Sequence, residues 1–151
     1  MHKLMHLLTL SFCLLLFSCQ KKDDNHQLHT DIAKIEEYLA QQQIQASKLE
    51  SGLYYFIHRP GTEPKPNLGS TITVSYTGKL LDGSTFDSGS FVTFPLSTLI
   101  KGWQQGIPLI GAGGRINLYV PSTLGYGNSS MPGIPANSVL VFDLTLHYFS
   151  N

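Results

Sequence analysis

Cysteine is nearly absent. The 151 residues hold two, Cys13 and Cys19, both close to the N-terminus. The body of the chain therefore has no disulfide framework and no Cys-x-x-Cys site, and thiol catalysis downstream of Cys19 is excluded. Charge is scarce and balanced, with ten Lys and Arg against ten Asp and Glu. No basic stripe forms, which argues against a nucleic-acid partner. His26, His29, His58 and His147 lack the paired spacing of metal ligands, so no metal or other cofactor is expected. There is no Gly-x-Ser-x-Gly nucleophile elbow. Gly111-Ala112-Gly113-Gly114 is followed by neither a lysine nor a helix start, so it is a turn and not a phosphate loop. Gly125-Tyr126-Gly127 lacks the spanning helices an ion filter needs. The apolar run Leu7 to Phe17 is too short to cross a bilayer.

That run does suit the core of a signal peptide. It closes on Leu16-Phe17-Ser18-Cys19, which resembles the lipobox of bacterial lipoproteins. The expectation is a lipoprotein signal peptide over 1–18, lipidation at Cys19 and a polar tether over 19–30, giving a chain anchored to a membrane and not inserted through it. Gln20-Lys21-Lys22-Asp23-Asp24 resembles the signal that sends lipoproteins of Bacteroidota to the cell surface; a plain solvated tether has the same composition. The implied address is the bacterial envelope, lipid-anchored at the outer membrane, with the face left open.

A helical lead-in is expected over 31–50. Asp31 is placed to cap it, and Ile32, Ile35, Leu39 and Ile44 supply an apolar stripe. It is short for a dimerisation stalk, so a monomer is expected. Ser51-Gly52 breaks the helix, and 51–151 reads as one domain. Leu53 to Ile57 is an aromatic-rich strand. Thr71 to Thr77 alternates, with Ile72, Val74 and Tyr76 on one face. Leu81-Asp82-Gly83-Ser84 is a hairpin turn, followed by Thr85–Ser88 and a second extended piece from Phe91 to Leu96. Arg115 to Pro121 alternates, as does Val139 to Phe149 with Leu140, Phe142, Leu144 and Leu146 inward. Each strong strand has one apolar and one polar face, the pattern of an antiparallel sheet buried on one side. The element available to cover it is a short helix over 99–107, which carries the single tryptophan, Trp103. Gly102 stands before the indole, where no side chain crowds it. The expected fold is α+β: a five- to six-stranded antiparallel half-barrel wrapped on one short helix, preceded by an N-terminal helix.

Six stretches in order carry a closer likeness: Val74-Ser75-Tyr76-Thr77-Gly78, Leu81 to Ser88, Leu99-Ile100-Lys101-Gly102-Trp103, Val120 to Gly127, Ile134 to Ser138 and Leu140-Val141-Phe142-Asp143-Leu144. From about Gly52 to Phe149 the chain resembles the FK506-binding-protein type (FKBP-type) peptidyl-prolyl cis-trans isomerases. The resemblance implies a pocket with Tyr76, Phe86 and Asp87 on one wall, Leu99 and Ile100 at the rim and Trp103 as floor. Tyr126 and Ile134 come from the long loop, and Phe142 from the last strand. It assigns Tyr76, Phe86, Asp87, Trp103, Tyr126 and Phe142 to catalysis, and Leu99, Ile100, Ile134, Phe91 and Val92 to substrate binding. Phe91 or Val92 is the counterpart of a second wall phenylalanine. The Ile100 N–H and the Tyr126 hydroxyl are implied to hold substrate carbonyls. Met131 stands near the tip of a shortened loop.

The implied partners are X-Pro-containing polypeptides and macrolides like FK506 or rapamycin. Two functions stay open on these residues. One is isomerisation of X-Pro bonds in exported proteins; the other is a binding module that holds Pro-containing segments without turning them.

Overall fold

The protein is described by a computed structural model covering residues 13–151, with side chains described from Asn25 onward. Residues 1–12, and with them most of the expected signal-peptide core, lie outside the described residues, as does the side chain of Cys19.

The chain opens with one helix, α1 (Cys13–Gln41). No Gly or Pro interrupts this span, so the polar stretch expected as a tether is helical here, and the helix does not wait for Asp31 to begin. It stops earlier than the sequence suggests. Gln43 adopts a left-handed φ of 57°, the Gln43 N–H donates to the Ala40 carbonyl and the Ile44 N–H reaches back to Leu39. This is a Schellman ending built on glutamine in place of glycine, and it folds Ile44 back onto the helix.

Six strands follow: β1 (Ser47–Lys48), β2 (Tyr54–Arg59), β3 (Thr71–Leu80), β4 (Thr85–Pro95), β5 (Arg115–Val120) and β6 (Leu140–Ser150). They form one antiparallel sheet in the order β1-β2-β5-β6-β3-β4. The two extended pieces expected after the hairpin turn are one strand, β4. It is bulged at two places, where Gly78 pairs with Asp87 but Lys79 with Thr85, and where Val74 pairs with Val92 but Tyr76 with Gly89, so β4 holds one extra residue at each.

The short helix α2 (Lys101–Gly106) lies on the inner face of this sheet. Gly102 and Gly106, one turn apart, make the contact. A Cβ at Gly102 would stand 2.5 Å from Val120 Cγ1, and one at Gly106 would stand 2.5 Å from Leu118 Cδ2. Gly102 is thus required by the sheet behind it and not by the indole beside it. Ile72, Val74, Leu96, Ile107, Ile110, Ile116, Leu118, Val120, Leu140, Leu144 and Leu146 close the core around α2, each fully buried.

A second core lies on the opposite face. Tyr54, Tyr119, Val139 and Val141 are apolar and point away from α2, and Ile35 and Leu39 of α1 bury them, with Ile32, Tyr38 and Ile44 at the margin. The outer face is therefore not uniformly polar: one end of it is covered by α1. Tyr54 also hydrogen-bonds Glu36, and Lys48 lies 5.0 Å from the centre of the Tyr54 ring.

Candidate active site

Between α2 and the inner face of β3, β4 and β6 opens a cavity of about 210 Å³. It is lined by Tyr76, Phe86, Asp87, Phe94, Leu99, Ile100, Trp103, Tyr126 and Phe142. Trp103 is 4% exposed and forms its base. Three rings meet the indole nearly at right angles: Tyr76 at 5.0 Å between centroids, Phe142 at 5.2 Å and Phe94 at 6.4 Å. Phe86 meets Phe142 in the same way at 5.6 Å. Edge-to-face packing sets partly positive ring edges against partly negative faces, and it holds each ring at a fixed angle. The indole Nε1–H finds no acceptor among the described residues.

Polar groups sit at the mouth. The Tyr76 hydroxyl donates to Asp87 Oδ2 at 2.7 Å, and Asp87 Oδ1 accepts from the Ser88 N–H at 2.8 Å. Burial, and after it the Asp87 carboxylate, push the Tyr76 phenol up to about 12. The phenol is therefore a standing donor at neutral pH. The rim segment before α2 is held by Gln104, whose Nε2 donates to the carbonyls of Leu99 at 2.6 Å and Ser97 at 3.1 Å. The Ile100 carbonyl accepts the Trp103 and Gln104 N–H groups of α2, whereas no described group accepts the Ile100 N–H.

A larger hollow of about 770 Å³ lies on the outer face, lined among others by Ser75, Thr77, Arg115, Asp143 and Thr145. Arg115 there grips Asp143 through two hydrogen bonds, at 3.0 and 2.6 Å, and Arg59, also in its lining, donates its Nε–H to the Gly113 carbonyl at 2.5 Å. The hollow has no apolar floor. The chemistry of the inner cavity, apolar walls with a few polar groups at the mouth, is that of a binding site.

The inner cavity gathers most of the residues singled out in the sequence. Ile134 is the partial case. It is 6% exposed within the main core and is not a lining residue. Phe91 and Val92 are corrected. Phe91 is 62% exposed and stacks on His147 at 3.8 Å, on the outer face. Val92 is on the inner face, paired with Val74, but does not line the cavity. The wall position belongs to Phe94. Strict alternation from Asp87 would put Phe91 inward; the extra residue between Gly89 and Val92 reverses the parity, so Val92 and Phe94 point inward instead.

A family model described as FKBP-type peptidyl-prolyl cis-trans isomerase matches residues 62–147. The chain belongs to this family. Among FKBP-type relatives, an FkpA isomerase of Aeromonas hydrophila is 43% identical over 119 residues, which is 75% of this chain and 44% of that protein. The crystal structure of FkpA from Escherichia coli is similar with a TM-score of 0.72 and 30% identity, over 99% of this chain and 73% of that one. A peptidyl-prolyl cis-trans isomerase from Pseudomonas syringae pv. tomato gives a TM-score of 0.71 and 27% identity, over 82% and 96% of the two chains. The chain spans less than half the length of the curated FkpA relatives it matches.

Proposed function

We propose that the chain catalyses cis-trans isomerisation of X-Pro peptide bonds in polypeptides at the cell envelope, and so assists the folding of exported proteins. The observation that carries this reading is the apolar cup itself: an indole floor ringed by Tyr76, Phe94 and Phe142, with the Tyr76–Asp87 pair at its mouth.

Twisting a peptide bond breaks amide resonance and meets a barrier of about 18–20 kcal/mol. No group or proton is transferred, so the reaction calls for neither a nucleophile nor a cofactor. X-Pro bonds have nearly balanced isomers that interconvert in tens to hundreds of seconds unaided. A catalyst need only favour the twisted amide over both planar forms. In this reading the proline ring rests on Trp103 between Tyr76, Phe86 and Phe142. The cup removes water that would otherwise hydrogen-bond the polar, planar amide. The Ile100 N–H and the Tyr126 hydroxyl hold flanking carbonyls, so that one side of the bond turns while the other stays fixed.

The test is the rate of isomerisation of an X-Pro peptide. The parent chain accelerates it, Trp103→Leu and Asp87→Ala reduce the acceleration, and FK506 competes for the site. No acceleration by the parent rejects the reading. A holding role without turnover is the second reading, favoured by Met131 and Tyr126, large apolar side chains exposed on the loop. It predicts suppression of client aggregation that survives Asp87→Ala.

The proposed address is the outer membrane, by a lipid on Cys19. The lipobox-like Leu16 to Cys19 supports it. Cys19→Ala then moves the chain from the membrane fraction to the soluble one, and an unchanged distribution rejects the anchor. Labelling of intact cells with a membrane-impermeant reagent decides the face.

A further inference from the structure

We propose that Asp31, on α1 and outside the cavity, is a positioning residue for the Tyr126 wall of the site; what that wall acts on rests on the isomerase reading above. Asp31 is fully buried, on the face of α1 that also carries Ile35 and Leu39. A carboxylate in an apolar stripe is unfavourable unless it is fully hydrogen-bonded, and a helix that merely packs has no need of one. Here both oxygens are engaged. Oδ2 accepts from the Ser122 N–H at 2.8 Å and from the Ser122 hydroxyl at 2.5 Å. Oδ1 accepts from Gln27 Nε2 at 2.8 Å and lies 3.9 Å from Lys34 Nζ.

Ser122 begins the 3-10 turn Ser122–Leu124, which leads directly into Tyr126. Ser122 is 1% exposed and faces two ways. Its N–H and hydroxyl point at Asp31. Its carbonyl accepts the Gly125 N–H at 2.9 Å and the Gly127 N–H at 2.8 Å, the two amides that bracket Tyr126. The Gly127 carbonyl in turn accepts from the Asn137 N–H at 2.8 Å. The backbone on both sides of Tyr126 is thus fastened to one serine, and that serine to one carboxylate.

The other aromatic walls do not share this support. Tyr76, Phe86, Phe94 and Phe142 come from β3, β4 and β6, and Trp103 from α2. Loss of Asp31 leaves two buried donors of Ser122 without an acceptor, and the turn must shift to hydrate them. The effect reaches the cavity at Tyr126 while the floor and the sheet walls keep their places.

The test uses the full chain and an X-Pro peptide. Asp31→Ala raises KM about five- to tenfold with kcat within about twofold, because a contact held alike in ground and transition states is lost. Asp31→Asn keeps an acceptor oxygen and recovers most of the loss. In a cycle with Tyr126→Phe, the double variant is no worse than Tyr126→Phe alone. A purely structural Asp31 instead lowers the melting temperature, leaves KM per folded molecule unchanged and gives effects that multiply. Amide exchange is measured alongside: Gly125 and Gly127 exchange at least about tenfold faster in Asp31→Ala, with β6 amides unchanged. Should Asp31→Ala fail to fold, Ser122→Ala, which removes one of the two donors that Asp31 holds, carries the same comparison. An inactive parent rejects the isomerase reading alone, and the exchange pair then decides the role of Asp31. Unchanged exchange at Gly125 and Gly127, or an unchanged KM in an active parent background, overturns the proposal.

Discussion

Tyr76 on β3 donates its hydroxyl to Asp87 on β4 at 2.7 Å, across the hairpin. The same phenol ring meets Trp103 edge-on. One side chain therefore belongs to the apolar floor at its ring and to the polar mouth at its oxygen. Asp87 fixes which way that oxygen points, and the backbone N–H of Ser88 fixes Asp87.

Asp87→Ala releases the Tyr76 hydroxyl and removes the carboxylate at the mouth. We expect kcat/KM for an X-Pro peptide to fall about tenfold, equivalent to ~1.4 kcal/mol of barrier, with little change in melting temperature because Asp87 is exposed. Asp87→Asn preserves an acceptor and should recover most of the rate. Equal losses in the two variants would assign the effect to the charge and not to the hydrogen bond.

The same pair sets a pH window. Unfolded, Tyr76 ionises near 10; folded, burial first and Asp87 second hold its proton until about 12. A raised folded value stabilises the protonated, folded form. That contribution is complete below pH 10 and is lost as pH climbs from 10 through 12. Difference absorbance of tyrosinate should follow it, and neutral-pH activity should show no step from this group. In Asp87→Ala the titration moves down while burial keeps it above 10. A Tyr76 titration already at 10 in the parent would contradict the geometry.

Gly102→Ala inserts a methyl 2.5 Å from Val120 Cγ1. Overpacking of this kind costs about 1–3 kcal/mol, and we expect a melting temperature lower by about 5–10 °C. Val120→Ala makes room for the methyl, so the double variant should lose less than the sum of the single ones. Strict additivity, measured by calorimetry, would mean that the helix moves off the strand instead of pressing on it.

Phe94→Ala removes a partly buried ring from around the indole and should reduce kcat/KM more than tenfold, with a loss of stability below the ~3–5 kcal/mol of a fully buried phenylalanine. Phe91→Ala, on the outer face, should leave peptide isomerisation within about twofold of the parent. Reversed outcomes in the same assay would refute the parity change at the bulge.

The half-barrel was legible because β3, β5 and β6 alternate cleanly and the Asp82-Gly83 turn announces its hairpin. Most of the cavity was legible for a different reason: its residues recur in short stretches that resemble one family. Three features were not. The β4 bulge carries φ +53° on Phe91, a conformation for which glycine is the usual signal, so nothing in Ser90-Phe91-Val92 warned of the parity change that turns Phe94 inward. Gln43 ends α1 in a left-handed conformation on equally ordinary chemistry. Asp31 looked like the cap of its own helix because aspartate is a common N-cap. It does accept the first N–H of a helical turn, but of a turn 91 residues away in the chain, which no local pattern can reveal. The outer apolar patch at Tyr54, Tyr119 and Val141 was equally hidden, since each such residue looks like a lone exception until α1 is laid over all of them.

The contact of Gly102 and Gly106 with β5 separates two dimensions of the cup. Its depth is the distance from the indole to the sheet, and along that line α2 rests on Val120 and Leu118 with no side chain of its own in between. The helix has no rotamer of its own to turn there, and the two side chains beneath it are fully buried, so depth is a hard dimension. Its width is measured to Tyr126, on a loop fastened by hydrogen bonds, and is a soft one. Ligands that differ in the thickness of the ring seated on Trp103 should be sorted sharply, while those that differ in what flanks the ring should be accommodated by the loop at a graded cost.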